Sequence, residues 1–272
     1  MEQRPRRLEG KVAIVTGAGS SGPGVGTGKA TSILFAREGA KVLLVDRVAQ
    51  HATETLTAIR GEGGEAAVFE ADITRAEACQ AMVEAAIERY GGLHILMNNV
   101  GIAAMGTVVD VTEEDWDRVL DVNLKGMMLS SKYAIPKMRA LGGGSVINVS
   151  SIDALRSGTM AAIIPYTASK GGVISMTTAM AVQHGRDNIR VNCIAPGFLY
   201  TPLVAPVVTE EMRELRRQAA PLGTEGTAWD VAWAAVFLAS DEARWITGIV
   251  LPVDAGLLAT TPLSMLPYLR QV

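Results

Sequence analysis

Cysteine is scarce in this chain: Cys79 and Cys193 are the only two in 272 residues, with no C-x-x-C pair and no metal-ligand spacing. That argues against a disulfide scaffold or a zinc module, and the pair reads as reduced, buried small residues of a cytoplasmic protein. Histidine is equally sparse, and His51, His94 and His184 are too scattered to suggest a metal site, so none is expected. Aromatics make up 5% of the residues and the formal net charge is −3, which leaves no concentrated basic face for nucleic acid. The one basic cluster, Arg4, Arg6 and Arg7, reads as a solvated terminus. No apolar run approaches the roughly 20 residues of a membrane span, and residues 1–10 lack the apolar centre of a signal peptide, so no membrane partner is expected.

Short apolar runs are plentiful: "KVAIVT", "KVLLVD", "AAVFEA", "HILMN", "GSVINVS", "IRVNCIA" and "GIVLPVD". Each is too continuous for a strand with one wet face and suits a parallel strand covered on both. Helical patterns lie between them at 29–38, about 48–61, 75–90, 112–140 with a break, 166–185 and 228–239. The alternation predicts an α/β chain, a Rossmann-type doubly wound parallel sheet of about seven strands with helices on both faces. With no internal repeat or low-complexity linker, one domain over 1–272 is expected, its core at 8–256 and a C-terminal tail at 257–272. Segment 198–222 breaks the alternation with Pro202, Pro206 and Pro221 around a short charged helix, and such an insertion after a strand reads as a substrate lid.

The first run leads into "TGAGSSGPGVGTGKA" (16–30). A G-x-G-x-x-G match falls on Gly17, Gly19 and Gly22, but Pro23, Gly24 and Gly26 follow it, a poor start for the helix that this fingerprint requires. The spacing of Ala30, Ile33 and Leu34 puts the helix start at Gly28 or Lys29. Gly26 and Gly28 then stand where bare backbone and the helix dipole meet a pyrophosphate, and Ser20–Val25 becomes a bulge beside it. For the glycines alone, a flexible surface loop is the competing reading. Asp46 ends the second strand 18 residues past Gly28, near the spacing at which a carboxylate takes ribose hydroxyls and repels a 2′-phosphate. That favours NAD, and Arg47 next to it leaves NADP open.

"PYTASKGG" places Tyr166 and Lys170 at i and i+4, on one helix face. An ammonium beside a phenol favours the phenolate, so the lysine is expected to draw the tyrosine pKa down towards neutrality and make it usable as an acid or base. Tyr133 and Lys137 share the spacing, but Pro136 lies between them and no strand-terminal serine precedes them. Before Tyr166, "SVINVSS" ends a strand at Ser150 and Ser151, facing a ligand at the carboxyl edge of the sheet.

With these motifs the chain resembles the short-chain dehydrogenase/reductase family over almost all of residues 8–256. The likeness rests on the Thr-Gly glycine loop, "ADI" (71–73), "NNVG" (98–101), "VNL" (122–124), "SS" (150–151), "YTASK" (166–170), "APGF" (195–198) and "VDAG" (253–256). It implies a catalytic tetrad of Asn123, Ser151, Tyr166 and Lys170, with Asn123 ordering a water that relays protons to the lysine. It also implies that Gly17, Ser21, Gly26, Thr27 and Gly28 bind the cofactor with Asp46 and Arg47, and that Asp72 and Ile73 flank the adenine. Asn98 and Gly101 are expected along the cofactor, and Pro196, Gly197, Leu199 and Thr201 on the nicotinamide side, with Tyr166 and Lys170 touching the cofactor too. Several positions depart from the pattern. The glycine loop is longer by five residues, the span from Ser151 to Tyr166 by two, Val100 replaces an alanine, and Ala255 replaces a glycine.

The activity implied is reversible, NAD-dependent oxidation of a secondary alcohol to a ketone. An NADPH-dependent 3-oxoacyl-type reductase and a nicotinamide-sensing protein without turnover are the alternatives. Ala103, Met105, Leu155, Met160, Ile163, Leu203 and Val204 are candidate pocket residues, apolar enough for a medium-sized neutral ring or chain, with ordinary core as the competing reading. Asp153 is the polar exception, either a partner for a second substrate hydroxyl, a deterrent to anionic substrates, or a solvated loop carboxylate. Helices 112–140 and 166–185 carry apolar residues on several faces, including Leu124, Met127, Met128, Val173, Ile174, Met176 and Met180, which suggests packing between subunits of a homodimer or homotetramer. The tail is expected either to cover a neighbouring subunit or to fray.

Overall fold

All five side chains of β1 (Val12–Thr16) are buried, and successive positions face opposite ways. Ala13 and Val15 enter one core and Ile14 the other. In β2 (Lys41–Asp46), Val42 and Leu44 follow the first pair while Leu43 and Val45 follow Ile14. A strand wet on one face would carry polar residues at alternate positions; these do not, because helices cover both faces. The computed structural model that shows this describes residues 6–158 and 161–269.

The elements alternate along the chain: α1 (Thr27–Arg37), α2 (Ala49–Gly61), β3 (Ala66–Glu70), α3 (Ala76–Tyr90), β4 (Ile95–Asn98), α4 (Glu113–Leu120), α5 (Gly126–Ala140) and β5 (Gly144–Val149). Then follow α6 (Ile164–His184), β6 (Ile189–Pro196), α7 (Glu210–Ala219), α8 (Ala228–Ala239), β7 (Val250–Val253) and α9 (Leu266–Leu269). The seven strands form one parallel sheet in the order β3-β2-β1-β4-β5-β6-β7. Residues of α1, α2 and α8 pack on one face, and residues of α3, α5 and α6 on the other. Strand order reverses between β1 and β4, so a crevice opens there at the carboxyl edge, where such sheets bind ligands.

The helices begin where polar side chains can serve them. Thr112 accepts from Asp115 N at the start of α4, Thr209 accepts from Met212 N at the start of α7, and Thr227 and Asp230 form a capping box on α8. The break within 112–140 is a π-helical turn, Asp121–Lys125, joining α4 to α5 without a loop. Helix α1 starts at Thr27, one or two residues before the start expected from its apolar spacing, with Gly26 as its N-cap. Over its described length the tail places α9 beside α7 of the same chain. Ala255 takes a left-handed conformation, φ +55°, which its side chain disfavours.

Candidate active site at the carboxyl edge of the sheet

The glycine loop leaves β1 at Gly17, whose φ of +64° suits glycine. Three close approaches fix its path. A Cβ on Gly28 would lie 1.9 Å from Gly17 O, and one on Gly19 would lie 2.4 Å from His51 Cβ of α2. The third is Gly26, whose N–H donates to Ser20 Oγ at 2.9 Å. Ser20 thus orders the turn, while Ser21, the serine singled out from sequence, is exposed on the bulge. The bulge lies beside segment 198–222: added Cβ atoms on Gly22 and Gly24 would come 3.8 and 3.5 Å from Pro202. Gly26 gives α1 no side-chain cap and its first turn holds no acidic residue, so the helix N–H groups there are free for an anion. This bare cradle fits the pyrophosphate of a dinucleotide.

Asp46, at the end of β2, accepts from Gly19 N through Oδ2 and from Val48 N through Oδ1, each at 3.0 Å. It therefore braces the glycine loop. Arg47 is exposed, and its charge helps hold Asp72 below the usual carboxylate range. Burial of Asp72 works the other way and is outweighed by the Thr74 N–H and hydroxyl, which both donate to Oδ1. Ile73 is buried in the core, within 2.9 Å of where a Cβ on Gly126 would sit. Asn98 lies deeper than expected. Its side chain is fully buried and donates to Ser131 Oγ and Asn148 Oδ1, away from the crevice. Asn99 instead reaches the glycine loop, donating from Nδ2 to Thr16 O and Gly17 O at 3.2 Å each. Only the doubled Asn in "NNVG" hinted at it. Val100 tightens this contact, its Cγ2 3.1 Å from where a Cβ on Gly17 would lie.

The four residues of the expected tetrad come from three places and meet. Asn123 sits inside the π-helical turn, fully buried. Its Oδ1 accepts from Ile102 N at 2.8 Å, and its Nδ2 donates to Ile102 O at 2.9 Å and to Ser169 Oγ at 3.0 Å. Asn123 thus clamps the segment following "NNVG" onto α6, as π turns often do at working sites. Lys170 of α6 is buried and donates from Nζ to Val149 O at 2.9 Å; a Cβ on Gly101 would lie 3.1 Å from that Nζ. Ser150 is the serine that braces α6, its Oγ donating to Lys170 O at 2.7 Å. Ser151 is not tied to α6 in this way, and its hydroxyl acts on Tyr166 in the direction that favours the phenolate.

Burial, not the lysine, governs the tyrosine. The Tyr166 hydroxyl is pushed up to about 12 by burial, the hydrogen bond from Ser151 works against that, and the Asp153 charge adds to it. Lys170 is not among the groups that set this shift. The ammonium lies 5.5 Å from the ring centroid, is turned to a backbone carbonyl, and is itself lowered to about 8 by burial. Asp153 is not a solvated carboxylate either. It is half-buried, Ser151 Oγ donates to its Oδ2 at 3.0 Å, and its own N–H donates to Ser151 Oγ at 3.1 Å.

Beyond β6 the chain turns at Pro196 and Gly197, where a Cβ on Gly197 would lie 2.7 Å from Asp254 Cα. Gly197 N donates to Val253 O, Leu199 bridges to Gly226, and Thr201 O accepts from Val204 N and Ala205 N. Of the apolar pocket candidates, Ala103, Met105, Leu155 and Leu203 are exposed and Ile163 and Val204 half-buried, so none is ordinary core. Met160 lies outside the described residues. A cavity of about 360 Å³ lies to one side, walled by residues 198–200, by Arg213, Arg216 and Arg217 of α7, and by 252–257. Leu199 is the one expected site residue on its wall, and Ser151 and Tyr166 are not part of it. A phenol, a serine hydroxyl and a buried ammonium beside an anion cradle can move a proton at a carbinol or carbonyl oxygen held next to a dinucleotide.

Comparison with known proteins agrees with this geometry. The family model described as enoyl-(acyl carrier protein) reductase matches residues 23–258. The 3-oxoacyl-[acyl-carrier-protein] reductase FabG of Thermotoga maritima is 39% identical over 251 residues, 92% of this chain and 99% of that protein. Cyclohexanol dehydrogenase of an Acinetobacter species is 36% identical over 251 residues, 92% of this chain and 96% of that one. Among solved structures, a short-chain dehydrogenase/reductase from Burkholderia xenovorans superposes with a TM-score of 0.89 at 40% identity, covering 94% of this chain and 99% of its own.

Proposed function

The chain belongs to the short-chain dehydrogenase/reductase family, a family of NAD(P)-binding oxidoreductases, and from that premise we propose that it interconverts a secondary alcohol and a ketone with NAD(H). The observation that carries this reading is the meeting of Ser151, Tyr166, Lys170 and Asn123 beside the bare N-terminus of α1. In oxidation, Tyr166 as phenolate takes the hydroxyl proton and Ser151 donates a hydrogen bond to the same oxygen. Lys170 supports the phenolate and would hold the nicotinamide ribose, and Asn123 orders a water that carries the proton on from Lys170 in oxidation and returns it in reduction. The nicotinamide, when bound, supplies hydride exchange with the carbinol carbon. Gly17, Gly26 and Gly28 would hold the pyrophosphate, Asp46 the adenosine ribose, and Asp72 the adenine side.

The reading favours NAD over NADP because a carboxylate at the end of β2, here Asp46, would repel a 2′-phosphate, and because the charge of Arg47 is partly spent on Asp72. The likeness to a 3-oxoacyl reductase keeps NADPH-dependent reduction as the second reading, told apart by cofactor preference. For substrate, the exposed Met105, Leu155 and Leu203 suit a neutral ring or chain. Segment 198–222 serves as the lid over it, and the whole chain acts as one domain. The reading also makes the protein cytoplasmic, with Cys79 and Cys193 free and buried, and a homodimer or homotetramer.

The test is reduction of NAD and of NADP, followed at the nicotinamide absorbance, against cyclic, aryl and acyl secondary alcohols. Turnover with NAD is expected, and Tyr166→Phe is expected to lower it by about 10²-fold or more. Retained activity in that variant overturns the mechanism, and NADPH-only turnover favours the second reading. Tight NADH binding with no turnover on any alcohol would leave a sensing role.

A further inference from the structure

Ser151 Oγ has one proton to give, and its surroundings decide where that proton goes. The Asp153 N–H occupies one lone pair of the oxygen at 3.1 Å, and Asp153 Oδ2 stands 3.0 Å away. An ionised carboxylate only accepts, so the Ser151 proton points at Asp153. In the alcohol oxidation proposed above, the substrate proton leaves towards Tyr166. The substrate oxygen then needs a donor on its other side, and a serine already committed to a carboxylate cannot be one.

Three elements face Asp153. Ser151 of its own loop is hydrogen bonded to it, while Tyr166 of α6 and Arg216 of α7 interact with it through charge. Burial pushes Asp153 up from the usual carboxylate range, and Arg216 pulls the other way. Arg216 is half-buried with its guanidinium 5.0 Å from the Phe198 ring centre, and its Nε is buried with no hydrogen-bond partner among the described residues. Its neighbours on α7 are committed. Arg213 is held by Glu225 and Glu210, and Arg217 by Glu214 and Gly223 O. The charge of Glu225 also reaches Arg216 but forms no hydrogen bond with it. A guanidinium whose Nε has no partner among the described residues and a carboxylate bonded to the catalytic serine, each acting on the other through charge, make a natural couple.

We propose that Asp153 is a positioning residue that holds the Ser151 proton away from the reacting oxygen, and that Arg216 of α7 releases it by pairing with the carboxylate. No bond breaks at Asp153. It controls only the direction of one hydrogen bond and the field at the phenol. The inference rests on the alcohol-oxidising reading of the Ser151 and Tyr166 pair and adds a coupling between α7 and the chemistry. With Asp153 neutralised, Ser151 can donate to a phenolate or to a substrate oxygen, and both favour proton transfer at lower pH.

The experiment is the pH profile of kcat/KM for NAD-linked oxidation in wild type, Asp153→Asn, Asp153→Ala and Arg216→Met. In Asp153→Asn the acid limb is expected about one pH unit lower, because removing a neighbouring negative charge eases phenol ionisation. Asp153→Ala shifts it the same way, with a lower kcat than Asn because nothing then aims the hydroxyl. Arg216→Met moves the limb upward in the wild-type background and leaves it in place on Asp153→Asn. An acid limb unmoved in both Asp153 variants overturns the proposal, and an Arg216→Met shift equal on both backgrounds overturns the part played by Arg216. Phenolate absorbance, taken as the difference between each protein and its Tyr166→Phe counterpart, reads the same shift without turnover. Loss of the oxidation reading, seen as activity surviving Tyr166→Phe, is thereby separated from loss of this one.

Discussion

At Ala255 a single side chain works against its own backbone. Its φ of +55° is a left-handed conformation that costs an L-residue about 1–2 kcal/mol, and the carbonyl is held there by Leu222 N at 3.2 Å. Gly256 follows at φ +86°, so two consecutive residues need the same unusual turn. Ala255→Gly is expected to stabilise the protein by about 1 kcal/mol, read as a higher urea midpoint with an unchanged slope. A lower midpoint would show that the alanine methyl packs better than its backbone suffers. From sequence this position shows only that an alanine replaces a glycine, and the φ angle reveals that conformation is at stake. The tetrad was legible because its members sit in short local motifs. Asp153 was visible as an odd polar residue, but its bond to Ser151 depends on a turn geometry that no spacing rule encodes. Arg216 was invisible, because its charge reaches Asp153 from more than sixty residues further along the chain, a relation that no local motif carries.

At the scale of elements, the seven strands were legible because burial on both faces removes the polar alternation and leaves continuous apolar runs. The π-helical turn could be read only as a break. A shift of hydrogen bonding from i+4 to i+5 leaves the apolar pattern almost unchanged, and its purpose appears only when Asn123 is seen clamping Ile102. The join between β1 and β4 has a titratable clasp of a similar kind. Val12 N donates to His94 Nδ1 at 3.0 Å. His94 is held below its ordinary value of 6.5, first by burial and then by the Lys11 charge. A base whose folded pKa is depressed resists protonation while folded, so its contribution is whole above about 6.5 and is lost as the pH falls through the folded value. Stability is expected to drop on acidification below pH 6.5, with a smaller drop in His94→Asn, whose amide oxygen can accept from Val12 N–H without titrating. Urea midpoints above and below that pH measure the difference, and an identical drop in both proteins would remove His94 from the account.

For the whole molecule, the question is which surface is left unfinished. On α5 and α6, Met127, Val173 and Met180 are buried within the chain, so one apolar face of these helices is spent on their own subunit. A second stripe is not: Met128 is 42% exposed and Val182 79% exposed, with Leu124 and Ile174 half-buried. Ile174, Thr178 and Val182 follow one another at intervals of four along α6, and Gly171 lies one turn before Ile174 with nothing within 4 Å of where its Cβ would be. A glycine at the head of such a stripe lets another helix approach closely. The opposite side offers a second surface, with Trp233 of α8 50% exposed and Trp245 90% exposed. Two separate apolar patches fit two isologous contacts, the requirement for a tetramer with dihedral symmetry, whereas one patch supports only a dimer. Light scattering is expected to give a multiple of the chain mass at micromolar concentration. Val182→Glu with Met128→Glu should remove the first contact and Trp245→Glu the second, each reducing a tetramer to a dimer, because a buried unpaired carboxylate outweighs the apolar area gained. A wild-type protein that remains monomeric, or variants that leave the assembly unchanged, would show that these patches have another use.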